Sequence, residues 1–499
     1  MSGPASSGLI LAIDGGSQST KVTIFDAAGS VYGKGRASLR PSVLGDDGTV
    51  VHPDDDLWDS LCVATRAALA DADVSGEAIV AIGLCSIRYC RAMLDETGAL
   101  TEPVLSWMDA RVSGPVCDLA PEVATIASAA GYLTVRLTGQ RRDSAGAYKG
   151  VWPIAADGLD WSQEDEDFTA TGMPRRLLPE LVPPAGLMGG VTVAAAQATG
   201  LPQGCPVFAT ANDKAVEALG AGLSSAINAG SGEHTVVLSL GTYIASMTVG
   251  DAASMHPGAN GPHTWVNSAS VPGDVLFESK GIRRGMWTVS WLRNLLSAAD
   301  AATPGASPAD PEVTQAWLEA GASDVPPGAE GLCVVPDFLA GPDGPDRRGS
   351  ILGLAGQHGA HHLHRAVLEG IALTMRAHAF AMIGALGIDS PRVVVTGGGA
   401  MSDLMMQIVA DSWALPATRA GMPDAAGLGS AICAAVGSGM HSDFSAAIEA
   451  MVREGRMFTP EPSSVEAYRS VAAAYDSLVG FTDPLYRHLA ATGRCAVRP

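Results

Sequence analysis

The stretch AIDGGSQSTK, Ala12 to Lys21, decides how the rest of the chain is read. The apolar or small residues Gly8-Leu9-Ile10-Leu11-Ala12-Ile13 lead into it, and the β-rich Val22-Thr23-Ile24-Phe25 leads out. That pattern predicts strand, tight turn, strand. The turn carries Asp14, two glycines, the hydroxyls of Ser17, Ser19 and Thr20, and the cation of Lys21. A glycine-rich turn directs backbone N–H groups outward, and with added hydroxyls it can hold an anion such as a phosphate. A polar hairpin turn with no ligand is the alternative, and this segment alone leaves both open.

The bulk properties narrow the field. At 499 residues the chain exceeds what one hydrophobic core usually supports, so two or more domains are expected. An apolar fraction of 47% supplies real cores and excludes a disordered chain. The net charge of −21 leaves no basic stripe for nucleic acid, whereas a nucleotide substrate needs only a local pocket of donors. Eight cysteines without a C-x-x-C pair point to reduced thiols. Met1 to Gly8 is small and polar without a basic segment, and the apolar run after it ends at Asp14, so no signal peptide is expected. No apolar stretch is expected to approach the ~18–20 residues of a membrane span. The expectation is a soluble cytoplasmic protein with no nucleic-acid or membrane partner.

Further along, Pro53 to Ala72 begins with acids and continues with helical apolar spacing, with Asp54 to Asp56 expected to cap it. Ala78 to Cys85 reads as a buried strand, giving the strand–helix–strand alternation of an α/β layer fold. Ala194 to Val207 gives a short helix, a turn and a strand that runs into ANDKAVEALGAG. The small, uncharged run Gly222 to Gly232 reads as a domain junction, dividing the chain into 1–225 and 226–499. Beyond it, HTVVLSLGTYIASMTV repeats the strand–turn–strand pattern, followed by a helix at His362–Met382 and a strand at Arg392–Val395 that meets a glycine turn and a helix. The halves duplicate in pattern, not in letters. Two facing lobes would place the turns of Asp14 and Gly241 on opposite walls of one cleft.

The ordered set IDGGSQSTK, WMDAR, GLPQGCPVFATANDKAVEALGAG, SLGTYIAS, RAVLEGIALTMR and VVVTGGGAMSDLMMQIVAD resembles the FGGY carbohydrate kinases: the glycerol, xylulose, ribulose and erythritol kinases. The resemblance runs from about residue 9 to about residue 436. It implies two actin-like (ribonuclease H-like) domains with a catalytic cleft between them. Residues 1–225 would hold the sugar and the base, and 226–499 would bind ATP. It also implies Mg²⁺ and phosphoryl transfer to a sugar or polyol hydroxyl.

Phosphoryl transfer needs a cradle for the phosphate, a metal to neutralise it and a carboxylate to take the acceptor proton. Asp213 ends the strand PVFAT and begins the helix KAVEALGAG, and the resemblance makes it the general base; an N-cap is the structural alternative. Asp14 matches the first-strand aspartate that serves the Mg²⁺–phosphate end. Ser17, Gln18, Ser19 and Lys21 take the places of the phosphate loop, with Ser17 where threonine is usual. Gly241 and Thr242 match the second phosphate loop. Gly398, Gly399 and Ala400 match the turn beneath the adenosine, and Asp403 a position that meets base or ribose; a tight strand-to-helix turn explains the glycines equally well.

At the acceptor end, Ile87-Arg88-Tyr89 stands where xylulose kinases usually have Gln-Met-His and glycerol kinases Gln-Arg-Glu. Arg88 and Tyr89 are candidates to bond sugar hydroxyls, with an Arg88–Asp109 structural pair as the alternative. Trp107, Asp109 and Arg111 match a motif that lines or supports the pocket, and Trp107 can equally belong to the core. Met286 stands where the family has glycine, unless the match shifts to Gly285. Asp343 to Gly349 lacks the usual Gly-Glu-Arg and is left unassigned. The histidines of QHGAHHLHR are read as a polar helix entrance in place of a metal site.

The reading is an ATP-dependent kinase acting on a ketose such as a pentulose, or on a sugar alcohol, of four to six carbons. A glycerol-type kinase is the alternative suggested by Arg88. An actin-like nucleotide-binding regulator is a second alternative, opposed by Asp213 beside Asp14. A nicotinamide oxidoreductase rests on glycine turns alone and lacks the strand-first fingerprint. A homodimer is kept as an assembly to test.

Overall fold

The computed structural model describes residues 8–45, 48–155, 158–251, 261–301, 311–341, 344–389 and 391–492. Met1 to Ser7, where no signal peptide was expected, and Asp343 of the unassigned loop lie outside the described residues.

Strand β1 (Leu9–Gly15) is apolar on both faces because both faces are covered. Leu9, Leu11 and Ile13 face one core with Leu57, Leu61 and Ala64 of helix α1 (Asp56–Asp71). Ile10 and Ala12 face a second core with Leu428 and Ile432 of helix α7 (Ala425–Gly437). Burying each such leucine or isoleucine contributes about 1.5–3 kcal/mol, which fixes the strand at the centre of its sheet. Around it the first sheet runs β5 (Leu187–Gly190), β6 (Pro206–Ala209), β4 (Ile79–Ser86), β1, β2 (Ser19–Phe25), β3 (Val31–Ser38).

The second sheet repeats this topology. Strand β7 (His234–Leu240) pairs antiparallel with β8 (Ile244–Asp251) and parallel with β11 (Pro391–Thr396), as β1 pairs with β2 and β4. The full order is β9 (Thr264–Ser268), β10 (Asp274–Ser279), β8, β7, β11, β12 (Ala417–Ala420), β13 (Glu454–Phe458). Helices α3 (Gly285–Ala301), α4 (Pro311–Ser323), α5 (Ala360–Leu386), α6 (Asp403–Trp413) and α8 (Pro462–Ala491) belong to this half. The duplicated pattern of the sequence is therefore matched by a duplicated strand order and direction.

Within Gly222 to Gly232, Ser225–Ser231 form a short helix before β7. Two local expectations are corrected. The acids ahead of α1 do not cap it through their side chains: Asp55 engages Tyr132 and Arg136, and Asp56 takes Arg40. Helix α5, at 27 residues, is long and apolar enough by composition to cross a membrane, contrary to expectation; 67% of its most apolar window is buried, and it forms the second lobe's core. The described cysteines, Cys62, Cys85, Cys90, Cys117, Cys205, Cys333 and Cys433, are all free thiols.

Helix α2 (Asp213–Gly220) joins the lobes. One face packs Ala215, Val216 and Ala218 against Val237 and Val394 of the second sheet. The other crosses α7 so closely that a Cβ on Gly429 would lie 2.0 Å from the Val216 carbonyl oxygen, and one on Gly220 1.8 Å from that of Ala425. Only glycine allows the approach. Buried polar groups add a tie to the second sheet: Lys214 Nζ donates to Glu217 (2.8 Å) and to Ser239 Oγ (2.7 Å), and Glu217 also accepts from Ser239 (2.9 Å) and Thr396 (2.6 Å).

Gly429→Ala is expected to destabilise the protein by about 1–3 kcal/mol through overpacking. Gly480→Ala, in α8 with no atom within 4 Å of the added methyl, should instead gain about 0.5–1 kcal/mol; chemical denaturation reads both. Lys214→Met strands the buried Glu217 carboxylate and should cost about 3–5 kcal/mol, much of it recovered in the Lys214→Met/Glu217→Gln double variant.

Candidate active site

A cleft of about 970 Å³ opens between the lobes. On its first wall, the register sets Asp14 directly across from Lys21, so the β1–β2 hairpin itself forms their ion pair (3.2 Å). The Gly16 N–H closes the turn onto the Ser19 carbonyl at 3.1 Å, leaving Ser17 and Gln18 exposed at its tip. Ser19 Oγ accepts from Arg36 Nε at 3.2 Å. Lys21 Nζ also lies 3.4 Å from Asp424, which immediately precedes α7. Burial pushes the Asp14 carboxyl up to about 6, against the pull of Lys21 and with Asp424 adding to the rise. Burial opposes the Lys21 charge, but Asp14 and Asp424 outweigh it and raise its pKa.

Deeper in the cleft, Asn212 accepts from the Ala215 N–H and so caps α2, which leaves the Asp213 side chain free of the capping role. Asp213 lines the cleft; its Oδ1 is buried with no hydrogen-bond partner and lies 3.5 Å from Arg88 Nε. Burial raises the Asp213 pKa, with Arg88 and Lys214 pulling the other way. Arg88 does not pair with Asp109. Its partner is Glu278, at the end of β10 in the opposite lobe, held by NH1 at 2.6 Å and NH2 at 2.8 Å. Asn267 also donates to Glu278.

Tyr89 is half-buried at φ 65°, with its ring 5.4 Å from the Arg88 guanidinium. Asp109 does not line the cleft. It is 1% exposed and saturated by the Val50 N–H (2.8 Å) and by Arg111 Nε (2.9 Å) and NH2 (2.7 Å), so it braces the chain behind the site. Trp107 packs at the edge of the first core, under the Arg283 guanidinium from the second lobe at 5.6 Å.

On the second wall, Gly241 and Thr242 line the cleft, and their carbonyls accept from Met286 N–H (3.1 Å) and Gly285 N–H (2.8 Å) at the start of α3. Gly398, Gly399 and Asp403 also line it, whereas Ala400 is buried behind the turn. The Ala400 carbonyl accepts from Arg419 (2.6 Å), which together with Arg456 grips Asp403 and holds its carboxyl below the usual range. Met286 lies against Gly399, and the close approach falls at Gly285, where a Cβ would meet Ile244 at 2.2 Å. Of the unassigned loop, Arg347 is fixed to Asp483 of α8 at 2.8 and 2.7 Å. His358 and His362 accept backbone N–H groups around the start of α5, His361 stacks on Trp317, and His364 meets Glu319. Among the described residues no three His, Cys, Asp or Glu side chains gather as a metal set.

Several residues of this region escaped the sequence reading. Lys214 and Glu217 stand one and four positions after Asp213 on the same helix, a signal that was present and not used. Glu278 and Asp424 carry no local signal: they lie 190 and 403 positions from the cations they meet. At the far end of the cleft Glu319 accepts from Gln315 one helical turn away (2.9 Å) and, across a long sequence gap, from Ser402 (2.8 Å).

Residues 9–128 match the N-terminal domain, and residues 236–438 the C-terminal domain, of the FGGY family of carbohydrate kinases. The chain is 40% identical to the uncharacterized sugar kinase YgcE of Escherichia coli (strain K12), over 96% of this chain and 94% of that protein. Its fold is similar to the crystal structure of xylulose kinase from Rhodospirillum rubrum, with a TM-score of 0.73 at 23% identity, covering 96% of this chain and 100% of that one. It is also similar to gluconate kinase from Lactobacillus acidophilus, with a TM-score of 0.77 at 18% identity, covering 96% and 99%. With its two topologically duplicated lobes and the cleft between them, the chain belongs to the FGGY family of carbohydrate kinases and is a phosphotransferase.

Proposed function

We propose that this kinase transfers the terminal phosphoryl group of ATP to a hydroxyl of a small uncharged ketose or sugar alcohol, with Asp213 as general base. One observation carries the assignment of the base: a carboxylate on the cleft wall whose side chain keeps 30% exposure, on a helix already capped by Asn212. Such a group can accept a hydroxyl proton as the oxygen attacks phosphorus, a contribution of typically ~10²–10⁴ in rate. Arg88, 3.5 Å away, would hold Asp213 in place and favour its charged form.

The phosphate chain would lie between the two hairpin turns. Ser17, Gln18 and Ser19 offer donors from the first lobe, Gly241 and Thr242 from the second, and Lys21 supplies a positive point charge. The base and ribose would occupy the end walled by Met286, Val289, Leu404 and the Gly398–Gly399 turn, with Asp403, Gln315 and Glu319 as polar partners. The acceptor and base thus belong to the first lobe, within 1–225, and the nucleotide mainly to 226–499. Closing the lobes around both would exclude water as a competing acceptor.

Asp14 and Asp424 both face the cleft and are bridged by Lys21. A hard divalent cation needs only one or two carboxylates and keeps several waters, so this donor set fits Mg²⁺. Mg²⁺ held there would neutralise charge on the nucleotide phosphates. Lys21 limits the repulsion between the two carboxylates and keeps them oriented toward the phosphate turn. The place of Arg88 beside Asp213 favours a glycerol-type acceptor as the second reading, and an acceptor panel from glycerol to the hexitols and ketohexoses, followed by ADP release, separates the two.

Asp213→Asn should lower acceptor-dependent ADP release by about 10²–10⁴-fold while ATP affinity, read by calorimetry, stays within a few-fold. Retained turnover removes Asp213 from the role. For pH, the sign follows from a raised carboxyl: Asp14 loses its charge as pH falls through about 6. Because kcat/KM reports ionisations of the free enzyme, kcat/KM for ATP should decline on the acid side near pH 6. A profile flat down to pH 5 contradicts the part given to Asp14.

A further inference from the structure

We infer that Glu278 reserves the acceptor end of the cleft for uncharged polyhydroxyl substrates and rejects carboxylated or phosphorylated ones, by reaching from the second lobe to neutralise Arg88. The inference rests on the reading that the acceptor binds beside Asp213. The fold alone does not decide acceptor charge, since it is shared by a xylulose kinase and a gluconate kinase. The charges at this end of the cleft do.

Arg88 has three guanidinium nitrogens, and each faces a carboxylate. NH1 and NH2 fork onto the two oxygens of Glu278 at 2.6 and 2.8 Å, and Nε lies 3.5 Å from Asp213 Oδ1. Such a two-point guanidinium–carboxylate pair is strong and geometrically selective. Burial opposes the Glu278 charge, yet Arg88 outweighs it and holds the carboxyl below its usual range, and Asn267 donates to the same carboxylate. Lys214, the other cation beside Asp213, is taken by Glu217 and Ser239. Arg88 and Lys214 against Asp213, Glu217 and Glu278 leave one negative charge in excess. A substrate carboxylate or phosphate would add an anion where both cations already have carboxylate partners. An uncharged polyol instead brings an O–H donor to the cleft-lining carboxylate of Asp213. This is selection by a repulsive element as well as by attraction. Because Arg88 follows β4 and Glu278 ends β10, the selection is made jointly by both lobes.

The test uses the full-length protein with ATP and Mg²⁺ and reads ADP release. Its acceptors are erythritol, xylitol and D-glucitol with their acid counterparts D-erythronate, D-xylonate and D-gluconate, and D-xylulose with D-xylulose 5-phosphate. For whichever pairs are turned over, the uncharged member should exceed the anion by about 10²-fold or more in kcat/KM. An anion that matches or exceeds its uncharged counterpart overturns the inference and leaves the kinase reading standing. Failure to phosphorylate any of these acceptors removes the ketose or sugar-alcohol reading, and the inference with it, while the family assignment stands. In Glu278→Gln the freed guanidinium should narrow the uncharged-to-anion ratio at least about tenfold. An unchanged ratio in a variant that still turns over the uncharged acceptor contradicts the role of Glu278. Should that variant fail to fold by circular dichroism, the wild-type ratios decide alone.

Discussion

Helix α2 lies as deep as it does between the lobes because two glycines let backbone meet backbone. Gly220 admits the Ala425 carbonyl, and Gly429 admits that of Val216. A methyl at either place would force the helices apart, and α2 carries Asp213, Lys214 and Glu217 on a single rigid element. The position of the candidate base is thus set by a close helix crossing behind it, and only secondarily by the polar groups around it. Gly220 and Gly429 serve here as packing surface.

The charged groups at the cleft do a different job from stabilising the fold. Lys214–Glu217 and Arg88–Glu278 are buried pairs, and burying such pairs recovers little net free energy once desolvation is counted. What they supply is register between the lobes: Glu217 reaches Ser239 and Thr396, and Arg88 reaches Glu278, all across the junction. Lys21 makes a third such contact, through Asp424. Each pair ties one lobe to the other, so the turns that would grip phosphate face each other across the cleft.

Local chemistry was legible in the sequence, and long-range partnership was not. The hairpin of Asp14 and Lys21 could be read because its apolar flanks and glycine turn are contiguous, and so could the strand ahead of Asp213, although it ends at Ala209 and Asp213 opens α2. The duplicated lobes were visible as two strand–turn–strand openings, although strand order needed coordinates. For Arg88 the sequence offers a sugar-binding role or a pair with Asp109, in a nearby motif; the carboxylate it meets comes from β10. Trp107 and Asp109 stand in a segment that braces the site from behind, and nothing in their spacing distinguishes bracing from lining. The small, uncharged residues at 222–232 read as a domain junction, and their composition gives no sign of the short helix at 225–231, whose Ser225 and Asn228 bond Asp274 and Val249.

The most direct test of this account is a crystal structure of the complex with Mg²⁺, a non-hydrolysable ATP analogue and a polyol acceptor. The account predicts an acceptor hydroxyl within about 2.6–3.2 Å of the Asp213 carboxylate, with the terminal phosphate held between the Gly16–Ser19 and Gly241–Thr242 turns. An acceptor bound away from Asp213, or a phosphate chain that touches only one of the two turns, contradicts it.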